Sequence, residues 1–408
     1  MNRTELRQLL SIPVIVAALG YFVDIYDLLL FSIIRVQSLQ GIGVSANELT
    51  DKGLLLISTQ MTGMIIGGIV WGVLGDKRGR LSVLFGSILT YSLANIANGL
   101  VSTVEQYAVL RFIAGIGLAG ELGAGITLVA ETLPQQIRGY GTTLVASVGM
   151  LGAVLAYFIS EIFDWRTCYF IGGFLGLLLL LLRVSVFESA MYAQIRMQKV
   201  RTGDFLMLFA KRERFWRYFN AVFIGLPLWF IIGILVTLSP EFGREMGFSV
   251  VISAGKAVMF TYLGISLGDI LSGLLSQYLQ SRKKVVFLFV LLSFLFEVLY
   301  LYPLSTQWAG LFYLNCFLLG VAVGYWALFV TIAAEQFGTN LRATVATTVP
   351  NFIRGTVPLL SVLFTLSKDY FGMIQGTLWV AVFCTIVPLI CLYFLKETFA
   401  RDLNYIEE

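Results

Sequence analysis

The chain has 408 residues, of which 58% are hydrophobic, 14% aromatic and 13% charged, with 40 glycines and a formal net charge of +4. That composition excludes an ordinary soluble domain, and high hydrophobicity with nearly balanced charge excludes a disordered chain. At ~20 to 25 residues per bilayer crossing, there is room for roughly twelve spans with short loops and no separate soluble domain.

Histidine is absent, which removes Ser-His-Asp and Cys-His catalysis and every His-ligated metal site, and leaves proton chemistry to carboxylates. Cys168, Cys316, Cys384 and Cys391 are scattered through apolar stretches without a CxxC spacing, and read as buried thiols. No metal, cofactor or nucleic-acid partner is expected.

The N-terminus is basic, then apolar, like a signal peptide. Its apolar stretch carries Asp24 and Asp27 and lacks a small-residue cleavage site, so it is expected to stay as the first membrane helix. Apolar runs predict spans near 11–34, 53–75, 81–100, 106–130, 139–163 and 167–186. A second set follows near 215–239, 253–279, 285–302, 309–334, 343–366 and 373–395. The expected fold is an all-α membrane protein of twelve transmembrane helices in two six-helix bundles, 1–190 and 215–408, joined by a polar linker over 191–214. Most of the 28 Lys and Arg fall on the side of both termini and the linker. The opposite loops hold only Arg35, Lys52, Arg166, Arg244, Lys256 and Lys368. The positive-inside rule therefore predicts cytoplasmic termini.

The two sets repeat. AETLPQQIRGYGTT after span 4 matches AAEQFGTNLRATVATT after span 10, with Glu131 to Arg138 and Glu335 to Arg342 at the same spacing. Parallel six-helix repeats place a substrate site between the halves near the bilayer midplane, with alternating access by rocking of one half on the other.

With GVLGDKRGR (Gly72 to Arg80) and these repeated Glu and Arg positions, the whole chain resembles the major facilitator superfamily. VDIYDLLLF around Asp24 and Asp27, AGELGAG around Glu121, RVSVFES from Arg183 and RGTVPL from Arg354 are similar to patterns of its metabolite:proton symporters; some are similar to sugar porters. The second-half counterpart of GDKRGR is the degenerate SQYLQSRKK, with Gln277 in place of an Asp. The resemblance implies a transporter rather than an enzyme: proton-coupled uptake of a small carboxylate or zwitterion, in a bacterial inner membrane and as a monomer. The runner-up is an exporter of a small organic molecule or siderophore.

Ionisable residues inside spans are costly, at ~2.5 to 3.5 kcal/mol on insertion scales, and mark function. Asp24 and Asp27 share one face of span 1 and are expected to point into a cavity, with Arg111 as the counter-ion of Asp27. Such a pair is either a movable proton switch or a static tie between spans 1 and 4. The resemblance favours the switch, because sugar porters carry an aromatic-acid pair similar to Tyr26-Asp27 and an Arg similar to Arg111. Glu121 is a further candidate carboxylate. Arg354 either pairs with Asp269 or binds a substrate carboxylate. Gln60, Tyr26, Trp229, Tyr325, Trp326 and Asn351 are candidates for lining the cavity, and Lys256 and Glu297 are expected at the interface.

Gly72, Asp76, Arg80, Glu131, Arg138, Glu335 and Arg342 are expected to form a cytoplasmic latch, with Asp76 at a helix N-terminus and Arg80 facing a carboxylate. GIGLAG, from Gly115 to Gly120, matches a dinucleotide fingerprint in form only: no strand precedes it, and close helix packing accounts for it. Magnesium held by Asp24 and Asp27 in an intramembrane transferase is the remote alternative.

Overall fold

The structure is a computed structural model that describes residues 7–78, 80–121, 129, 133–134, 137–190, 205–399 and 407. Among them there are helices and no strands. This follows from an apolar chain whose backbone groups must be satisfied within each segment.

The first half comprises α1 Ile12–Gly41, α2 Leu49–Arg78, α3 Arg80–Asn98, α4 Val104–Leu118, α5 Arg138–Met150, α6 Gly152–Ile162 and α7 Trp165–Ala190. The second half begins with α8 Met207–Ala210, α9 Arg212–Phe223, α10 Leu226–Phe230, a π-helical turn Ile231–Val236 and α11 Ser239–Glu245. It continues with α12 Ala254–Tyr278, α13 Arg282–Leu301, α14 Ala309–Val323, α15 Trp326–Glu335, α16 Thr339–Arg354, α17 Val357–Phe371 and α18 Met373–Phe394.

Nine helices among the described residues are long and apolar enough to cross a membrane, and a tenth if α9 and Leu226–Val236, bent by 46°, make one crossing. The bend falls at Gly225 and Pro227, where proline removes a backbone donor. The predicted third span is matched by a shorter apolar stretch, Val83–Asn98. The predicted fourth begins as α4 and runs into residues outside the description.

Helix α1 is the hub. It packs on α5, α6 and α7 of its own half and on α12 of the other. The halves also meet where α2 lies on α16 and α17, and where α5 and α6 lie on α12. Each half has a pair of helices that crosses at backbone contact through glycines of both. A Cβ on Gly63 or Gly115 would strike the carbonyl of Phe112 or Gln60 across α2 and α4. One on Gly264 or Gly320 would strike that of Phe317 or Thr261 across α12 and α14. Small residues let membrane helices approach this closely, so Gly115 in GIGLAG serves packing. All four cysteines are buried free thiols, as expected.

Replacing Gly320 by Val is expected to force α12 and α14 apart and cost about 1 to 3 kcal/mol. Thermal unfolding of the detergent-solubilised protein would read this as a lowered midpoint. An unchanged midpoint would show that the crossing has slack.

Candidate transport site

Arg354 ends α16 and is buried between two indoles. Its guanidinium carbon lies 5.4 Å from the ring centroid of Trp229 and 5.5 Å from that of Trp326. The two indoles meet edge to face at 6.3 Å. Tyr21 and Ile25 of α1, Met150 of α5 and Tyr262 and Ile265 of α12 complete a small cavity to which both halves contribute. Its volume is about 10 Å³, room for about one water. This is a closed site with no room for a larger molecule.

The pairing of Arg354 with Asp269 that the sequence left open is not made. Asp269 Oδ1 instead accepts the backbone N–H of Ala327 at 3.0 Å, in the first turn of α15, where the helix dipole favours an anion. Arg354 Nε and Nη1 have no hydrogen-bond partner among the described residues. The cation is thus flanked by aromatic faces and hydrogen-bonded to no described carboxylate, although Asp24 lies within its field.

Asp24 and Asp27 are fully buried, and no described residue hydrogen-bonds either carboxylate. Arg111 does not fill the expected role of direct partner to Asp27. Its Nη2 donates to Gln60 Oε1, and its guanidinium carbon lies 4.8 Å from the Phe31 ring centroid, although its charge still reaches Asp27. Asp27 faces α7, where Gly172 leaves space for Oδ1. Asp24 lies in the field of Arg354, then of Glu121 and Arg183. The two aspartates therefore do not share one surroundings.

Glu121 forms a two-pronged ion pair with Arg183, whose Nη1 donates to Oε2 at 3.0 Å and Nη2 to Oε1. Sequence reasoning missed Arg183 as a partner, although an arginine within the last predicted turns of a span was the available signal. The hydroxyl of Tyr26 donates to the Cys168 carbonyl at 2.9 Å, that of Tyr325 to the Ile224 carbonyl at 2.9 Å, and Asn351 Nδ2 to the Ala119 carbonyl at 2.9 Å. Of the expected cavity residues, only Trp229, Trp326 and Arg354 line the cavity; Tyr26, Gln60, Tyr325 and Asn351 hold helices together instead. Glu297 is fully buried, not interfacial, because α13 turns it inward. Lys256 is exposed as expected.

Contacts between the halves close one end, where α1 meets α11. Arg35 of α1 is fully buried and donates to both carboxylate oxygens of Glu241 on α11, at 2.6 and 2.7 Å, and to the Leu49 carbonyl at 3.0 Å. Thr237 donates to Ser32 beside it at 3.1 Å. The sequence had placed Arg35 only as an outer-loop cation. At the other end of the second half, Glu335 pairs with Arg282 at 2.7 Å, so the degenerate SQYLQSRKK supplies the cation that Glu335 meets. Burial pushes the Glu397 carboxyl up, but hydrogen bonds from Ser281 and from the backbone of Phe399, Arg282 and Lys283 hold it below its ordinary range. Arg342 donates to the Phe337 carbonyl at 3.5 Å. Gly72, Asp76, Arg80, Glu131 and Arg138 lie outside the described residues and side chains.

A profile of the Major Facilitator Superfamily matches residues 17–360. The chain belongs to that superfamily. It is 29% identical over 346 residues to a putative metabolite transport protein of Haemophilus influenzae, covering 80% of this chain and 82% of that one. It is 28% identical over 349 residues to the cis,cis-muconate transport protein of Acinetobacter baylyi, covering 82% of each. Among solved structures, a major facilitator proton:xylose symporter superposes with a TM-score of 0.72 at 17% identity, covering 99% of this chain and 98% of that one. The chain is thus a multi-pass membrane transporter and not an enzyme. Among the described residues no group of three or more Cys, Asp or Glu is placed to hold a metal ion.

Removing one member of the Glu121 and Arg183 pair is expected to cost about 3 to 5 kcal/mol, and removing both much less, because a lone charge is left buried. Thermal midpoints of Arg183→Met, Glu121→Gln and the double variant test this; equal losses in all three would contradict it. Arg35→Gln should loosen the outer closure, so that a cysteine at Thr237 labels faster from outside. Unchanged labelling would show that the closure does not depend on this pair.

Proposed function

We propose that this superfamily member is a proton-coupled symporter that takes up a small organic carboxylate across a bacterial inner membrane by alternating access. In this reading twelve spans form two six-helix bundles, 1–190 and 215–408, with a cytoplasmic linker over 191–214, cytoplasmic termini and a monomeric assembly in the bilayer. The observation that carries it is Arg354, buried at a cavity between the halves, held by Trp229 and Trp326 and bonded to no protein carboxylate.

A guanidinium with free N–H groups in a dry site receives a carboxylate through charge-assisted hydrogen bonds. The indoles offer flat apolar faces to the rest of the molecule. Relatives named as transporters of cis,cis-muconate, benzoate and 4-hydroxybenzoate, all unsaturated carboxylates, support that choice of substrate.

Asp27, with Asp24 beside it, carries the proton. A buried carboxylate that no residue hydrogen-bonds is costly when ionised and tolerable when protonated, so its protonation is tied to which side is open. Arg111 and Gln60 keep a cation near Asp27, and Glu121 with Arg183 ties α7 to the end of α4. The Arg35 and Glu241 closure guards the outside. The Asp76, Arg80, Glu131, Arg138, Glu335 and Arg342 set guards the cytoplasmic side.

The test is uptake of labelled benzoate, cis,cis-muconate, nicotinate, glycine betaine and xylose into proteoliposomes under an inward proton gradient. A carboxylate should accumulate, and a protonophore should abolish this. Asp27→Asn should lose accumulation yet retain substrate exchange. Arg354→Lys should weaken apparent affinity about tenfold or more, the scale of one charge-assisted hydrogen bond. Efflux of preloaded compound with no uptake would replace this reading with the exporter, and accumulation by Asp27→Asn would remove that residue from coupling.

A further inference from the structure

Buried polar atoms without partners run from Asp27 along α3 to its last residue. Both oxygens of Asp27, both side-chain amide atoms of Asn95 and of Asn98, the hydroxyl of Ser92 and that of Tyr91 lack a hydrogen-bond partner among the described residues. All five residues are fully buried. Asn95 is the amide that acts on the Asp27 carboxylate, yet the two fall short of hydrogen-bonding geometry. Buried polar groups that find no protein partner are those that buried water joins.

Their arrangement has a direction. Ser92, Asn95 and Asn98 recur every three residues along α3, and Asn98 is its last residue, at the outer end. On the opposite wall, α7 has glycines where bulk would intrude. Gly172 lies against Asp27, and Gly173 and Gly176 lie against Ser92. The remaining titratable neighbours of Asp27 are Asp24 and Tyr26 on its own helix, Arg111 on α4, Tyr169 on α7 and Tyr91 on α3.

This pocket is not the substrate cavity. On α1 the cavity is lined by Tyr21 and Ile25. Asp27 follows Ile25 by two residues, a turn of about 200° around the helix, and so faces the interior of the first half.

We propose that Asp27 exchanges its proton through water held by Asn95, Asn98 and Ser92, along a route from the outer end of α3 that is separate from the cavity around Arg354. The inference rests on the reading of Asp27 as the proton carrier. Each asparagine offers one acceptor and one donor group, so water between them is oriented without a competing charge. A proton passes from outer water through this hydrogen-bonded file to a carboxylate oxygen of Asp27, forming the O–H bond there. Substrate in the central cavity then does not obstruct loading of the proton.

Infrared spectroscopy of the protein in lipid, switched from H2O to D2O, tests the route without a substrate. The carboxyl band lost in Asp27→Asn identifies the group. Asn95→Leu and Asn98→Leu are expected to slow its exchange about tenfold or more, equivalent to ~1.4 kcal/mol on the barrier. Ile25→Trp, which fills the central cavity, should leave the rate near that of the wild type. Asn95→Asp, which keeps shape and polarity, should exchange rapidly. Asn98 lies away from Asp27, so its variant carries the test if Asn95→Leu does not fold. Wild-type exchange in both leucine variants, slowing by Ile25→Trp alone, or a spectrum without any band that Asp27→Asn removes would each overturn the proposal. Failure of the coupling role shows separately, as proton-driven accumulation persisting in Asp27→Asn.

Discussion

An ionised side chain in a low-dielectric interior must be matched by opposite charge, by dipoles or by a proton. The architecture of this transporter is largely a set of answers to that constraint. Glu121 is matched by Arg183, Arg35 by Glu241 and Asp269 by the N-terminus of α15. Arg354 meets ring faces and the field of Asp24 without a hydrogen-bonded carboxylate, and neither Asp24 nor Asp27 has a hydrogen bond from a described residue. The unmatched cation and the unmatched acids lie in different halves of the chain. A ligand that brings a negative charge to one, and a proton that neutralises the other, thus act on the same imbalance.

The two halves share a scaffold and differ in what it carries. Each has a pair of helices in backbone contact through glycine, α2 with α4 and α12 with α14. In the first half the helix after that contact carries Glu121; in the second the corresponding stretch carries Tyr325 and Trp326. Rigid crossings inside each half, with polar contacts such as Arg35 to Glu241 between them, suit motion of one half against the other. Helix α1 belongs to both environments, because its Tyr21 and Ile25 face the cavity while Asp27 faces inward.

The sequence showed depth well and azimuth badly. Apolar runs located the helices, and charges within them marked Asp24, Asp27, Glu121, Asp269 and Arg354 as worth attention, because insertion cost depends on position along the span. Partner choice depends on how each helix is rotated and on residues far away in sequence. Glu121 meets Arg183 62 positions on, and Arg35 meets Glu241 206 positions on. Arg111 was matched to Asp27 by charge alone, and Gln60 took its donor instead. Neutral groups were the least legible: Asn95 and Asn98 look like ordinary polar residues near the end of a span until their burial is known. The third span, read to residue 100, overshoots because Leu100 prolongs the apolar run beyond the helix, which stops at Asn98.

The π-helical turn at Ile231–Val236 sits between two functional stretches of one crossing. Upstream lies Trp229 at the cavity, and downstream lie Thr237 and Glu241 at the contact with α1. A π-turn accommodates one residue more than an α-helical turn. Trimming that residue would restore regular winding and rotate one stretch against the other by about 100°. With Glu241 kept on Arg35, the indole would swing away from Arg354; with the indole kept in place, the carboxylate would leave its arginine. A single supernumerary residue thus sets the phase between the cavity wall and the ion pair with Arg35, and a chain that lacked it would need a different amino acid in one of the two places.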